Sequence, residues 1–298
     1  MSLETSVRRV PLLLRVAMAA VVPALGVSVL VSAAPQRGAQ QPAGPAALPA
    51  TPTPRATAPL DLTGYWVSVV TEDWRWRMMT PPRGDAPGVP LSLEGRKVAN
   101  TWDLAKDNAS GNQCKAYGAG GIMRIPGRLH VAWQDDVTLR IDFDAGRQTR
   151  LIHFGSAPAR GEPALQGYSA GRWQLRNDGA PILDEEAIVA RGRAGRSAAV
   201  QKGSLKVMTT GMRAGYFRKN GLPYGESATL TEYFDRHDDF GSQWFTVLTV
   251  LEDARYLISP FVTTTHFKKE PNGSKWNPQP CETLPPTTNR VSSGEEVG

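Results

Sequence analysis

Apolar and polar residues alternate in short segments along most of the chain after residue 60, which is the pattern of half-buried β-strands. In Thr138–Asp144, for example, Leu139, Ile141 and Phe143 fall on one face, and the residues between them are charged. The alternation predicts nine strands: residues 60–70, Arg128–Gln134, Thr138–Asp144, Gln148–Phe154, Tyr168–Leu175, Ser204–Thr210, Ala228–Arg236, Gln243–Glu252 and Phe261–Lys268.

Residues 74–79, Trp-Arg-Trp-Arg-Met-Met, continue this alternation of bulky and charged side chains up to a pair of prolines. We therefore predict an extended strand there, with Trp74 and Trp76 on one face beside Met78. Such a pair of indoles suits either core packing or an apolar pocket.

One segment, residues 92–112, instead spaces its apolar residues as a helix does, with Ser92 as its N-cap. Because an open sheet of nine strands would leave two unpaired edges, closure into a barrel is expected. The predicted fold is mainly β: a single antiparallel, up-and-down, lipocalin-like barrel of about eight or nine strands with one helix. A two-sheet β-sandwich fits the same pattern and remains an alternative. Residues 178–202 interrupt the strands with a weakly helical patch, Ile182–Ala190.

The N-terminal end has the features of an export signal. Three arginines precede an almost wholly apolar run from Val16 to Ala34 that ends in small residues. We expect residues 1–34 to be a cleaved signal peptide and the protein to be periplasmic or secreted, without stable membrane insertion after cleavage. An uncleaved membrane anchor is the alternative. The expected organisation continues with a disordered Pro/Ala-rich linker at 35–59, a β-barrel domain at 60–284 and a disordered tail at 285–298.

The chain has two cysteines, Cys114 and Cys281. Two such thiols in an exported protein usually pair, so the sequence predicts a disulfide. Since the bridge would close a loop of roughly 160 residues, chain entropy gives it about 4–5 kcal/mol of stabilisation. A reactive or metal-binding cysteine is the alternative, although neither residue has the spacing of a zinc site.

Charge and motifs exclude several partners. The net charge of +6 falls to about +4 without the predicted signal peptide, and the basic residues are scattered, so no nucleic-acid partner is expected. Residues 118–121, Gly-Ala-Gly-Gly, precede a strand rather than opening a helix, which argues against nucleotide binding. The chain has four histidines, His130, His153, His237 and His266, and they lack the spacing of metal ligands. We therefore predict no metal and no cofactor. The alternative is a metal site formed by three of these histidines inside the barrel.

Two kinds of residue are candidates for a site. Glu232 and His153 are the candidate catalytic residues, because an inward-facing carboxylate or imidazole can act as a general base. Aromatic side chains with polar ends suit an apolar pocket, in which His153 or Glu232 would be the polar anchor. The predicted aromatic ligand contacts are Trp74, Trp76, Tyr168 and Trp173.

Residues 62–66, Leu-Thr-Gly-Tyr-Trp, stand at the head of the strands. They resemble the G-x-W opening of lipocalins and their calycin relatives, in which the tryptophan closes one end of the barrel. Lipocalins pair this tryptophan with an arginine on the last strand, where this chain has Lys268 and Lys269. Residues 166–173 and 231–234 also resemble exported bacterial proteins of lipocalin-like type. The resemblance implies a calycin-type barrel in the cell envelope and no catalytic residues.

Three functions fit these expectations. The first is an exported lipocalin-like protein that binds a small apolar or aromatic molecule in the barrel interior. The second is a cofactor-independent barrel enzyme, an isomerase, cyclase or lyase, with a carboxylate or histidine base. The third is an envelope accessory protein that binds another protein through residues 178–202.

Overall fold

The structure is a computed structural model that describes residues 51–155, 161–176 and 202–286. Four sequence predictions lie wholly or mainly outside these ranges. They are the signal peptide, most of the linker, nearly all of the 178–202 segment and the tail beyond residue 286. These stay predictions.

The described residues form a closed β-barrel of nine strands, which confirms a mainly β barrel and excludes the sandwich. The described ranges contain eleven strands, two of which lie outside the barrel. The eleven strands are β1 Gly64–Val69, β2 Arg128–Trp133, β3 Thr138–Phe143, β4 Gln148–Phe154, β5 Tyr168–Arg176, β6 Lys202–Thr210, β7 Gly215–Arg218, β8 Leu222–Tyr224, β9 Thr229–Asp239, β10 Ser242–Glu252 and β11 Phe261–Glu270. Around the barrel they follow the order β1, β11, β10, β9, β6, β5, β4, β3, β2, and β1 pairs with β2 to complete the ring. β7 and β8 form a separate hairpin.

The expected up-and-down antiparallel topology is wrong at one pair of strands. β4 and β5 run parallel, with Ile152 beside Ser169, whereas the other barrel pairs are antiparallel. Thirteen residues, 155–167, separate the two strands in sequence, and a connection of about a dozen residues is the length that parallel pairing needs. In the sequence, the β7–β8 hairpin lies between β6 and β9, although these two strands are neighbours in the barrel.

Apolar side chains from all nine barrel strands meet in one cluster inside the barrel, the main core. Phe245 lies at a junction of aromatic rings. Its centroid is 4.7 Å from those of Trp66 and Phe267 and 6.2 Å from that of Phe234. Edge and offset ring contacts of this kind add to the stabilisation that burial supplies.

Trp66 of β1 is fully buried, and its indole Nε1 donates to the Leu62 carbonyl oxygen at 2.8 Å. Lys269 lies opposite on β11, with its Nζ 4.5 Å from the indole centroid, as in a cation–π contact. The same ammonium donates to the Thr63 carbonyl oxygen. Gly64 has a φ of 109°, and a Cβ there would lie 2.9 Å from the Lys269 side chain, so glycine lets the lysine cover the tryptophan.

The described residues contain four short α-helices and one 3₁₀-helix. The α-helices are α1 Trp74–Met78, α2 Leu93–Thr101, α3 Leu104–Ala109 and α4 Ala119–Ile122, and the 3₁₀-helix is Lys115–Tyr117. The single helix predicted over 92–112 is therefore wrong, because it is broken at Trp102 and Asp103. Ser92 caps α2 as expected, and the Asp103 carboxylate accepts two backbone N–H groups of α3, which starts a new helix. No helix in the described ranges is long and apolar enough to cross a bilayer.

Helix α1 occupies the segment predicted as a strand, so the placement of Trp74 and Trp76 on one strand face is wrong. Arg77 explains the difference, since this guanidinium is buried and fully engaged. It donates hydrogen bonds of 3.0–3.1 Å to the Arg124 carbonyl oxygen, the Glu72 carboxylate and the Ser68 hydroxyl. A helical turn folds Arg77 back over the end of β1, where a continued strand would carry it away.

The two ends of the barrel are covered by different parts of the chain. The helices and the β7–β8 hairpin lie at what we call the helical end, where a second apolar cluster packs. At the opposite end the rings of Trp133, Phe154 and Trp173 pack together, with centroids 5.0–6.4 Å apart. Trp173 Nε1 donates to the Pro54 carbonyl oxygen at 2.8 Å. Residues 51–59, part of the predicted linker, therefore contact the barrel.

The predicted disulfide is confirmed: Cys114 and Cys281 are bonded across a sequence separation of 167 residues. The bridge attaches residues 277–284, the C-terminal strap, to the helical end of the barrel. Hydrogen bonds support the attachment. The Tyr117 hydroxyl donates to the Glu282 carbonyl oxygen at 2.6 Å and accepts from the Glu282 N–H at 3.1 Å.

Removal of the disulfide should lower stability without changing the fold. We expect Cys114→Ala/Cys281→Ala to lose roughly 2–5 kcal/mol of unfolding free energy, because the open chain has more conformational freedom when unfolded. Urea denaturation with and without reductant measures this. Reductant should lower the midpoint of the wild type and leave that of the variant unchanged; equal midpoints for the oxidised wild type and the variant would contradict the expectation.

Candidate functional site

A charged pair is buried inside the barrel near its helical end. Arg150 of β4 and Glu232 of β9 have fully buried side chains, and Arg150 Nη2 donates to Glu232 Oε2 at 2.5 Å. Strand alternation places both inward, since each lies two residues from a core side chain, Ile152 or Phe234. The inward position considered for Glu232 is thus observed, with an arginine as its partner.

Hydroxyl side chains surround this pair and complete a polar layer. Arg150 Nε donates to Ser169 Oγ at 2.9 Å, and Nη2 donates to Thr209 Oγ1 at 2.6 Å. Thr249 lies opposite Glu232 on β10. Arg150 Nη1, Glu232 Oε1 and Thr249 Oγ1 are buried without a partner among the described residues. Because buried polar atoms of this kind cost free energy, the layer depends on the packing around it.

The polar layer divides the interior into two apolar parts. On β9, Glu232 lies between Leu230 of the helical-end cluster and Phe234 of the main core. β10 repeats the arrangement around Thr249. Along the barrel axis, the side chains of the interior are therefore apolar, then charged, and then apolar again.

The two candidate catalytic residues are not neighbours. His153 lies on β4 between the inward side chains Ile152 and Phe154, so its own side chain faces outward and is partly exposed. Glu232 faces inward and is held by Arg150. The geometry therefore offers no acid–base pair between them, and Glu232 contributes to the buried salt bridge instead.

The four aromatic candidates are also spread over the molecule. Trp173 belongs to the ring cluster at the opposite end. Tyr168 opens β5, and its hydroxyl accepts the Gly161 N–H at 3.0 Å. Trp74 on α1 is 61% exposed, whereas Trp76 faces the helical end and its Nε1 donates to Asp85 at 3.3 Å. Of the predicted site residues, Trp76 alone borders a cavity described below.

Basic side chains from three distant parts of the chain converge at the helical end. They come from α1, from the residues after α4 and from the β7–β8 turn, and together with Trp76 and Phe217 they line a small cavity of about 10 Å³. That volume suits about one water molecule. This basic cluster consists of Arg77, Arg124, Arg218 and Lys219.

Two members of the basic cluster have acidic partners. Arg77 pairs with Glu72 at 3.0 Å, and Arg124 pairs with Asp73 at 2.7 Å. Arg124 also donates to the Thr263 hydroxyl. Burial lowers the pKa of Arg77, and the Glu72 charge opposes this effect.

Arg218 is held by aromatic rings rather than by a carboxylate. Its guanidinium carbon lies 5.0 Å from the Trp76 ring centroid and 5.7 Å from that of Phe261. Its Nη1 donates to the Pro87 carbonyl oxygen at 3.3 Å, and its buried Nε has no partner among the described residues. Burial, with the nearby Arg124 charge, lowers the pKa of Arg218 to about 10.

Lys219 has no hydrogen bond or ion pair with the described residues, and burial lowers its pKa to about 8. Its backbone is fixed by its neighbours. Asn220 Nδ2 donates to the carbonyl oxygens of Pro82 and Asp85 at 2.9 Å. Gly221 has a φ of 82° and lies so close to Trp102 that a Cβ would come within 2.2 Å of the indole. The backbone on the C-terminal side of Lys219 is thus held in place.

Lys219 also lines an open cleft of about 370 Å³ at the helical end, and this volume lies within the range of small-molecule sites. The C-terminal strap supplies one wall. Exposed Met78 and Leu284 give the cleft apolar surface, and Arg128 adds a guanidinium whose Nε donates to Glu270 at 2.9 Å. The inward-facing side chains of the barrel strands, which form the main core, line neither this cleft nor the small cavity.

Sequence reasoning missed Lys219 and Arg128. The available signal was the run Arg218-Lys219-Asn220-Gly221, in which two basic residues precede an Asn-Gly turn. That signal does not reveal the cleft, because its walls come from residues near 78, 117–128, 144–146 and 277–284.

The described residues contain no group of three or more His, Cys, Asp or Glu side chains that could hold a metal ion. No family model matches the chain, and comparisons with curated proteins and with solved structures found no significant match. The function is therefore argued from the geometry of this chain.

Breaking the buried pair should be costly. We expect Glu232→Gln and Arg150→Met each to lose about 3–5 kcal/mol of unfolding free energy, because each leaves a buried charge without its partner. The double variant should lose less than the sum of the two. Urea denaturation of the four proteins completes the cycle. Glu252→Gln, an exposed change on β10, is the control; an equal loss for Glu252→Gln and Glu232→Gln would contradict the assignment.

Replacing Lys219 should stabilise the protein. The pKa of Lys219 is about 8 when folded and 10.5 ordinarily, so the unfolded chain holds this proton more tightly. Lys219→Met should therefore gain roughly 1–3 kcal/mol at pH 7. The gain should shrink between pH 8 and pH 10.5, where the folded wild type loses its unfavourable charge. Unfolding free energies across this pH range test the sign, with exposed Lys268→Met as the control; a variant less stable than the wild type at pH 7 would contradict it.

Proposed function

We propose that the protein is an exported, lipocalin-like barrel that binds a small organic acid with an apolar or aromatic body, and that the cleft beside Lys219 is the binding site. The observation that carries the proposal is the ammonium of Lys219, which faces a cleft of about 370 Å³ and makes no ion pair with the residues that the structure describes. A ligand carboxylate would supply the counter-charge. The proposed ligand is therefore the small apolar or aromatic molecule expected from the sequence, with an acidic group added.

The charge around the cleft favours an anion. The basic cluster has four positive groups, and the carboxylates that pair with it are Glu72 and Asp73. Arg128 adds a guanidinium on the cleft wall, and its partner is the Glu270 carboxylate. An excess of one sign in a concave site raises the local concentration of the opposite ion. Asp144 and Glu282 also line the cleft, so a ligand with one acidic group fits better than one with several.

The apolar part of the ligand has a matching surface. Met78 and Leu284 are each 55% exposed and lie on the cleft wall, with Ile125 and Tyr117 between the strap and the barrel. Covering such surface is favourable by about 25 cal/mol per Å². A ligand with an apolar body would therefore gain affinity that a simple inorganic anion lacks.

The cleft is a better candidate site than the barrel axis, where the sequence placed the ligand. Side chains of the nine strands pack against one another there, and the polar layer interrupts the axis. The lipocalin-like description is supported by Trp66, which lies under Lys269 where lipocalins have an arginine. Export is supported by the disulfide, since such bonds persist in oxidising compartments.

Ligand binding at the cleft can be tested with matched pairs of acids and neutral analogues. We expect 4-phenylbutyrate to bind and to raise the melting temperature, and 4-phenylbutyramide to bind more weakly, because the carboxylate pairs with Lys219. Lys219→Met should weaken binding of the acid about tenfold or more, which is the loss of one charge-assisted hydrogen bond. Titration calorimetry measures both affinities.

The control is Arg96→Gln, an exposed change on α2 outside the cleft, which should leave the affinity unchanged. Lys219→Met is expected to be more stable than the wild type, so weaker binding by this variant cannot be attributed to unfolding. Equal affinity of the wild type and Lys219→Met for the acid would rule out the cleft as the site.

A further inference from the structure

We infer that Lys219 is a nucleophilic amine that forms a reversible imine with the carbonyl group of an oxo acid bound in the cleft. The inference rests on the proposed function, since the acid must first occupy the cleft. It goes further, because binding alone requires no chemistry at the lysine.

The position of Lys219 meets the needs of such a nucleophile. Its side chain is partly exposed and lines both the small cavity and the open cleft, so a ligand in the cleft can reach it. Its turn is fixed by the hydrogen bonds of Asn220 and by the contact of Gly221 with Trp102. Fixed geometry between an amine and a bound carbonyl group raises the rate of attack.

The surroundings of Lys219 favour the neutral amine. Burial lowers its pKa to about 8. At pH 7.5 roughly a quarter of such an amine is neutral, against about one part in a thousand for an ordinary lysine. The charged or titratable groups that share a cavity with Lys219 are Arg77 of α1, Tyr117, Arg124, Arg128 of β2, Asp144, Arg218 of β7 and Glu282 of the strap.

The step is a condensation that consumes no oxidant or reductant. The lone pair of Lys219 Nζ attacks the carbonyl carbon, and the C=O π electrons move to oxygen, which takes a proton to give a carbinolamine. The nitrogen then loses a proton, the hydroxyl takes up a second proton and leaves as water, and the protonated C=N group that forms loses its remaining N–H proton to give the imine. Asp144 is a carboxyl group on the wall of the same cleft, and we assign to it the return of the proton to the leaving hydroxyl. Hydrolysis reverses every step.

The expected substrates are 2-oxo acids with an apolar or aromatic body. Arg128 offers a guanidinium on the wall of the same cleft, and guanidinium groups bind carboxylates well. For an oxo acid we place the carboxylate at Arg128 instead of at the Lys219 ammonium, so that the neighbouring carbonyl group meets Lys219 as the neutral amine. The apolar surface of Met78 and Leu284 would cover the rest of the molecule.

Reductive trapping tests the inference on the intact, disulfide-bonded protein. 2-Oxo-4-phenylbutyrate is added with sodium cyanoborohydride at pH 7.5, and the modified lysines are found by peptide mapping with mass spectrometry. We expect the adduct at Lys219 to form at least tenfold faster than at Lys206 and Lys268, which serve as controls within the same chain. Its rate should rise with a midpoint near pH 8, following the amine. Lys219→Arg should abolish the fast adduct.

Two matched compounds separate the inference from the proposed function. 4-Phenylbutan-2-one has a methyl group in place of the carboxylate and should label Lys219 at least tenfold more slowly. 4-Phenylbutyrate has no carbonyl group beside its carboxylate and should compete with the oxo acid. Equal labelling of Lys206, Lys219 and Lys268 overturns the inference, and leaves the proposed function intact if 4-phenylbutyrate still binds. Fast labelling of Lys219 that 4-phenylbutyrate does not slow overturns the assignment to acids and the proposed function with it.

Discussion

Closure of the sheet by β1 is the constraint on which the rest of the structure depends. This strand of six residues pairs with β11 on one side and with β2 on the other. Without both pairings the sheet would have two open edges, and the interior would be exposed to water. Trp66 seals the seam from within, through its contact with Phe245 and the cover of Lys269. The same closure brings the end of β1 beside the start of β2, so that Arg77 and Arg124 meet at the helical end.

Much of the fold could be predicted because local alternation determines which residues face inward. Every barrel strand corresponds to a predicted segment, and Gln148–Phe154 has the predicted bounds. The order of the strands could not be predicted, since the parallel pairing of β4 with β5 and the adjacency of β6 and β9 depend on contacts between distant residues. The β7–β8 hairpin was missed because its strands are only three and four residues long.

Residues 74–78 show how tertiary contacts override a local pattern. Their alternation of bulky and charged side chains is that of a strand, yet Arg77 gains three hydrogen bonds only when the chain coils. The candidate site likewise depends on tertiary contacts that the local pattern does not show. The inward position of Glu232 follows from alternation, whereas its partner Arg150 lies 82 residues away in sequence. Lys219 is an ordinary surface lysine by local pattern, and only the folded chain surrounds it with three guanidinium groups.

The helical end therefore carries interactions that work against stability. Arg218 is buried with two aromatic rings as its compensation, and Lys219 is partly buried with no acidic partner in the part of the chain that the structure describes. Natural proteins tolerate such costs at positions that serve a function, since stability and activity make different demands on the same residues. The polar layer shows the contrasting case, in which a buried charge has its partner beside it.

The Cys114–Cys281 bridge makes the cleft dependent on the redox state of the chain. One cleft wall is the C-terminal strap, and its covalent attachment is this single bond. Before oxidation the wall is held only by noncovalent contacts, such as those between Tyr117 and Glu282. With the export proposed above, a chain that has not yet met an oxidising compartment would close its barrel before this wall is cross-linked, and the proposed binding in the cleft would mature once the bridge forms.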